Sequence, residues 1–148
     1  MRILQINSCN FGSTGNIMLG VAQLARKEGN ECVVCVPRQR DNYKKEVEKQ
    51  IFIGNRISRN MHLKFANATG LNGFFSCFST LLFLYKVKRL KPDIIHFHNL
   101  HNCYINLPLL FRYIKKNKIK VVWTLHDCWS FTGHCPHFTI AKCDKWLL

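Results

Sequence analysis

The chain alternates short, nearly all-apolar runs with longer stretches of helical periodicity, and this alternation limits the fold more than any other feature. Residues 2–7 (RILQIN), 31–36 (ECVVCV), 51–53 (IFI), 93–98 (DIIHFH) and 120–125 (KVVWTL) read as strands. Runs without polar alternation are what strands need when both faces of their sheet are covered. Between them, Ile17, Val21, Leu24 and Ala25 form one helical stripe. Phe78, Leu81, Leu82 and Tyr85 form a second, and Leu107, Leu110, Phe111 and Ile114 a third. Another helix is expected over residues 57–68, and the polar stretch 39–50 reads as a surface loop or short helix.

Punctuation agrees with this order. Ser13 or Thr14 can cap the first helix and Gly29 can end it in a left-handed conformation. Pro37 stops the second strand and Pro92 marks the exit of the long central helix. Strand and helix alternate throughout, which predicts a parallel sheet with helices on both sides. The expected fold is α/β, a doubly wound, Rossmann-like domain. At 148 residues, 47% hydrophobic and 20% charged, the chain is the size of one globular domain with a real core.

Charge narrows the partners. Twenty-two Lys and Arg against eight Asp and Glu leave a net charge of +14, which attracts phosphates or an anionic membrane surface. The basic residues fall in separate groups at 38–49, 86–91 and 112–120, with no nucleic-acid-reading motif among them, so a nucleic-acid role is not expected. The N-terminal apolar run is too short for a signal peptide, and residues 74–85 are too short and too interrupted to span a bilayer. A cytoplasmic protein, peripheral at most on the inner face of the membrane, is the expectation. Eight cysteines in such a chain read as thiols. Cys32 and Cys35 resemble a CxxC pair, but three residues apart on a strand they face opposite sides and cannot share a metal.

Open parallel sheets bind ligands beyond the carboxyl ends of their strands. The first strand runs through Gly12, Ser13, Thr14 and Gly15 into a helix, whose N-terminal N–H groups suit a phosphate. The spacing matches neither a dinucleotide fingerprint nor a Walker loop. The fourth strand ends in His96, Phe97, His98 and Asn99, with both histidines on one face, and the fifth ends in His126 and Asp127. Residues 128–148 form a Cys/His-rich tail. Cys135, His137 and Cys143, with His134, offer zinc-type ligands without standard spacing, so no metal site is assigned.

The segments KPDIIHFHNLH, KVVWTLHDCWSFTGHC and MRILQINS…GSTG resemble the N-terminal domain of retaining glycosyltransferases of family 4, which have the two-domain GT-B fold. The nearest resemblance is to bacterial enzymes of capsular, exopolysaccharide or colanic-acid-type polysaccharide assembly, and it covers essentially the whole chain. It implies transfer of a hexosyl group, with retention, from a nucleoside-diphosphate sugar to a glycan or lipid-linked acceptor. That sugar nucleotide is a co-substrate, and no tightly bound cofactor or essential metal is implied. Residues 1–148 would be the acceptor-side domain, with the donor-binding C-terminal domain absent and the chain inactive alone. By resemblance, Gly12, Ser13, Thr14 and Gly15 approach the donor diphosphate and His126 contacts the transferred sugar. Asp127, His98 and Asn99 support or line the same cleft, and Asp127 is a candidate for fixing the His126 ring. Two other classes stay open: a non-catalytic module docking on a membrane or protein partner, and a metal-binding protein using the tail.

Overall fold

The computed structural model describes residues 1–44, 46–132, 135–140 and 142. Five strands, β1 (Arg2–Ile6), β2 (Glu31–Pro37), β3 (Gln50–Ile53), β4 (Ile94–Phe97) and β5 (Lys120–Trp123), lie in the order β3-β2-β1-β4-β5. Every pairing is parallel, with Ile6 opposite both Cys35 and Phe97, and Phe97 opposite Trp123. Strand order therefore reverses at β1, where the neighbours β2 and β4 diverge, and the carboxyl ends of β1 and β4 flank the switch point.

The connections carry α1 (Gly12–Lys27), a 3₁₀ turn (Arg40–Tyr43), α2 (Arg56–Thr69) with α3 (Cys77–Leu90), and α4 (Leu107–Lys116), and the short α5 (Trp129–Thr132) follows β5. The sheet separates two cores. Met18, Ala22, Cys32, Val34 and Val36 pack on one face, while Leu4, Ile6, Cys35, Phe83, Ile95, Phe97 and Leu110 pack on the other. Cys32 and Cys35 lie in different cores, as strand alternation requires, and both are free thiols.

Two helices are rotated from the faces their apolar residues suggest. Helix α1 buries Gly15, Met18 and Ala22, leaving Ile17 and Leu24 exposed. The cause is Gly15: a Cβ there would stand 2.6 Å from the Asn10 backbone carbonyl carbon, so only this face of the helix can press on the β1 exit. Neither Ser13 nor Thr14 caps α1. Phe11 occupies the cap position with no side-chain bond, while Gly29, at φ +75°, ends the helix as expected.

Helix α3 buries Ser79, Thr80, Phe83, Leu84 and Val87. The expected stripe of Phe78, Leu81, Leu82 and Tyr85 is 52–74% exposed. Two polar contacts fix this rotation. Thr80 Oγ1 accepts the buried Asn106 N–H at 2.8 Å, and Ser79 lies against Gly54, 3.3 Å from where a Cβ would stand.

Candidate functional site

The site is built outward from Asn7, the residue after β1. Its Oδ1 accepts the N–H of Ser8 at 2.9 Å and of Asn99 at 3.1 Å, and its Nδ2 donates to Cys9 O and, at 3.5 Å, to Thr14 Oγ1. One buried amide thus ties the β4 exit to the loop entering α1. Gly12 and Ser13 are exposed there, Thr14 is half-buried and Gly15 is buried. The first turn of α1 carries no side-chain cap and no acidic residue, so its N–H groups keep their positive field for an anion.

The histidines form a second layer of the same rim. His98 is 1% exposed. Its Nδ1 lies 2.9 Å from His126 Nε2, and its Nε2 lies 2.9 Å from the Gln5 side-chain amide. His96 Nε2 bonds Thr124 Oγ1 at 2.8 Å, and Trp123 Nε1 donates to His98 O at 2.8 Å, holding β5 against the end of β4. Burial, followed by the neighbouring His96 and His126, pushes the His98 pKa down to about 3, so the ring is neutral near neutral pH.

Proton positions follow from Gln5, which lies wholly buried beneath α1. The amide orientation that pairs each donor with an acceptor has Nε2 donating to Met18 O at 3.3 Å and to His98 Nε2 at 2.9 Å. In that orientation Oε1 accepts the Ala22 N–H at 3.0 Å. His98 Nε2 is then an acceptor, so the His98 proton sits on Nδ1 and is donated to His126 Nε2. His126, accepting that bond at Nε2, has its own ring N–H at Nδ1. Among the described residues that N–H has no hydrogen-bond partner.

Asp127 belongs to a neighbouring pair. Its Oδ2 lies 3.0 Å from His101 Nε2 and its Oδ1 accepts the Trp129 N–H. It therefore anchors the loop after β4 and the start of α5, and the residue that orients the His126 ring is His98. Asn99 contributes mainly backbone: its N–H goes to Asn7 and its O accepts the Tyr104 hydroxyl at 2.8 Å. His98, Asn99, His101, His126, Asp127 and Trp129 line a cavity of about 10 Å³, room for one water at most.

The predicted residues Gly12, Ser13, Thr14, Gly15, His98, Asn99, His126 and Asp127 all lie on this carboxyl rim. Sequence reading missed Gln5 and Asn7, and the only signal for Gln5 is an amide inside an apolar strand. Among the described residues no three His, Cys, Asp or Glu side chains are grouped to hold a metal ion. Cys135 is a half-buried free thiol and His137 is exposed. Cys143 and His134 lie outside the described residues.

Residues 15–147 match the model of glycosyltransferase family 4. The chain belongs to that family. Over 60 residues this family 4 domain is 43% identical to the putative colanic acid biosynthesis glycosyl transferase WcaC of Escherichia coli K12. The match covers 37% of the chain and 14% of that relative's length, so the chain spans only a small part of the curated relative it matches. No helix among the described residues is long and apolar enough to cross a membrane.

Proposed function

We propose that this chain is the acceptor-side domain of a retaining hexosyltransferase of cell-surface polysaccharide biosynthesis, working at the cytoplasmic face of the membrane. The donor is a nucleoside-diphosphate sugar, used as co-substrate, and the acceptor is a glycan or lipid-linked glycan. The convergence of the 12–15 loop, His98 and His126 at the switch point carries this reading, together with membership of the family.

Each part has a physical task. The uncapped N-terminus of α1 offers N–H groups to the donor diphosphate, where negative charge grows as the glycosyl bond breaks. The Nδ1–H of His126 donates to a hydroxyl of the transferred sugar, and the Gln5–His98 chain holds it in that tautomer. A cavity of about 10 Å³ cannot enclose a sugar, so the pocket needs a second wall, supplied by a donor-binding domain. The 148-residue chain alone then shows no transfer, and a nucleotide sugar binds it weakly. Titration with such a donor should move the amides of residues 12–15, 98–99 and 126–127. Shifts confined to other surfaces, or sugar transfer by the chain alone, would refute the reading.

A further inference from the structure

Ser76 and His62 form a hydrogen-bonded pair that the chemistry above does not use. A serine just before a helix ordinarily has extended backbone and caps the first turn with its hydroxyl. Ser76 does neither. It is left-handed, at φ +59° and ψ +31°, and makes no cap bond to α3. Its Oγ lies instead 2.9 Å from Nδ1 of His62, on the neighbouring helix α2.

The start of α4 clamps this turn. Asn106 Nδ2 donates to Phe74 O and, at 3.3 Å, to Cys77 Sγ, while the Leu107 N–H donates to Gly73 O at 2.7 Å. A left-handed residue other than glycine persists only where its surroundings over-determine it, and such residues gather at functional sites. The first turn of α3 is left uncapped, so the Cys77 N–H stays available to a ligand. A serine on a strained turn into a helix, with a free N–H on the next residue, has the outline of a nucleophile elbow. There that N–H stabilises an oxyanion.

His62 is placed to act as the base. It is 1% exposed, and burial pushes its pKa down to about 4, so the ring is neutral near neutral pH. Ser58 Oγ donates to Ser76 Oγ at 3.3 Å, which leaves the Ser76 hydrogen for Nδ1, the nitrogen with the lone pair. The ring proton is then on Nε2, a buried atom with no hydrogen-bond partner among the described residues. Both residues line a groove of about 380 Å³ between α2 and the start of α3, together with Ile57, Met61, Phe65 and Phe78. Those four side chains are exposed, so the apolar walls stand open to a ligand.

We propose that Ser76 and His62 are a catalytic dyad for acyl transfer, acting on esters whose apolar acyl group lies in this groove. Ser76 Oγ attacks the ester carbonyl carbon, and its proton passes to His62 Nδ1. The Cys77 N–H meets the charge that develops on the carbonyl oxygen. The bond to the alcohol oxygen then breaks, and the alcohol leaves with the proton from Nδ1. Water attacks the acyl-serine and gives a proton to Nδ1. The carboxylic acid departs as Ser76 Oγ takes that proton back. No carboxylate stands behind the imidazole, and a triad deprived of that member slows by about 10⁴-fold. Turnover is therefore slow, and a covalent adduct is the sharper readout. This activity is separate from the sugar transfer assigned to the rim.

The test treats the 148-residue chain with a decyl fluorophosphonate and, separately, with p-nitrophenyl acetate and butyrate. The phosphonate should add once and map to Ser76, and the butyrate should be cleaved faster than the acetate. Ser76→Ala should lose the adduct and the cleavage together. His62→Gln should slow labelling on the order of 10²-fold, the usual contribution of a positioned base, and its denaturant midpoint separates a lost base from a lost fold. Phe78→Ser, at an exposed position, should lower butyrate cleavage more than acetate cleavage. An adduct on any other residue would overturn the proposal, as would labelling of Ser76 no faster than in the urea-unfolded chain. Ester cleavage that survives Ser76→Ala unchanged would overturn it too.

Discussion

His98 Nδ1 lies 2.9 Å from His126 Nε2, with the two rings 16° from parallel. One ring is fully buried and the other lines the rim, so this bond carries a constraint from the core to the surface. The constraint starts at Gln5, whose amide is fixed by the backbone groups of Met18 and Ala22.

A proton assignment follows that needs no substrate. Imidazole ¹⁵N–¹H correlation spectra should show both His98 and His126 as Nδ1–H tautomers. Gln5→Leu removes the anchoring donor, and both tautomers of His98 should then be populated. An Nε2–H signal for His126 in the unaltered chain would reverse the direction of the relay.

Gly15→Ala should destabilise the fold by about 1–3 kcal/mol, the usual cost of overpacking a tight contact. Its added methyl meets backbone at 2.6 Å, which cannot swing aside as a flexible side chain can. Gly20, with open space around the same position, should gain from the change to Ala by up to about 1 kcal/mol through helix propensity. Urea denaturation of the two variants measures the contrast, and equal effects would contradict the close approach of α1 to Asn10.

Acid should unfold the protein through two histidines that the fold keeps neutral. Burial pushes His62 down from 6.5 to about 4, and His98 to about 3. Above pH 6.5 both states are neutral and the stability contributed is complete. As pH falls from 6.5 towards 4, the unfolded chain takes up protons that the folded chain refuses, so stability drops. Each histidine steepens the loss by up to about 1.4 kcal/mol per pH unit. Denaturant midpoints measured across this window should fall steadily, and His62→Gln should flatten the fall by one histidine's share. A flat profile would show that neither ring is shielded from water.

The five strands were legible because each is a compact apolar run closed by a turn or a proline, and parallel pairing follows from the helical connections. Helix rotation was not. Counting apolar residues picks Phe78, Leu81, Leu82 and Tyr85 as the inner face of α3. The actual inner face includes Ser79 and Thr80, because Gly54 and the Asn106 N–H meet them there. Those partners are 25 and 26 residues away in the chain, beyond any local pattern. The site divides in the same way. The histidines announce themselves at strand ends, whereas Asn7 and Gln5 matter through partners that only the folded sheet supplies.

Joining this chain to a donor-binding domain of family 4 and comparing it with its His126→Ala form tests the central claim most directly. The account predicts a fall in kcat on the order of 10²–10³, the usual loss when one preorganised donor is removed, with donor affinity little changed. Unchanged turnover in the His126→Ala enzyme would remove His126 from the chemistry, and with it the role assigned to this rim.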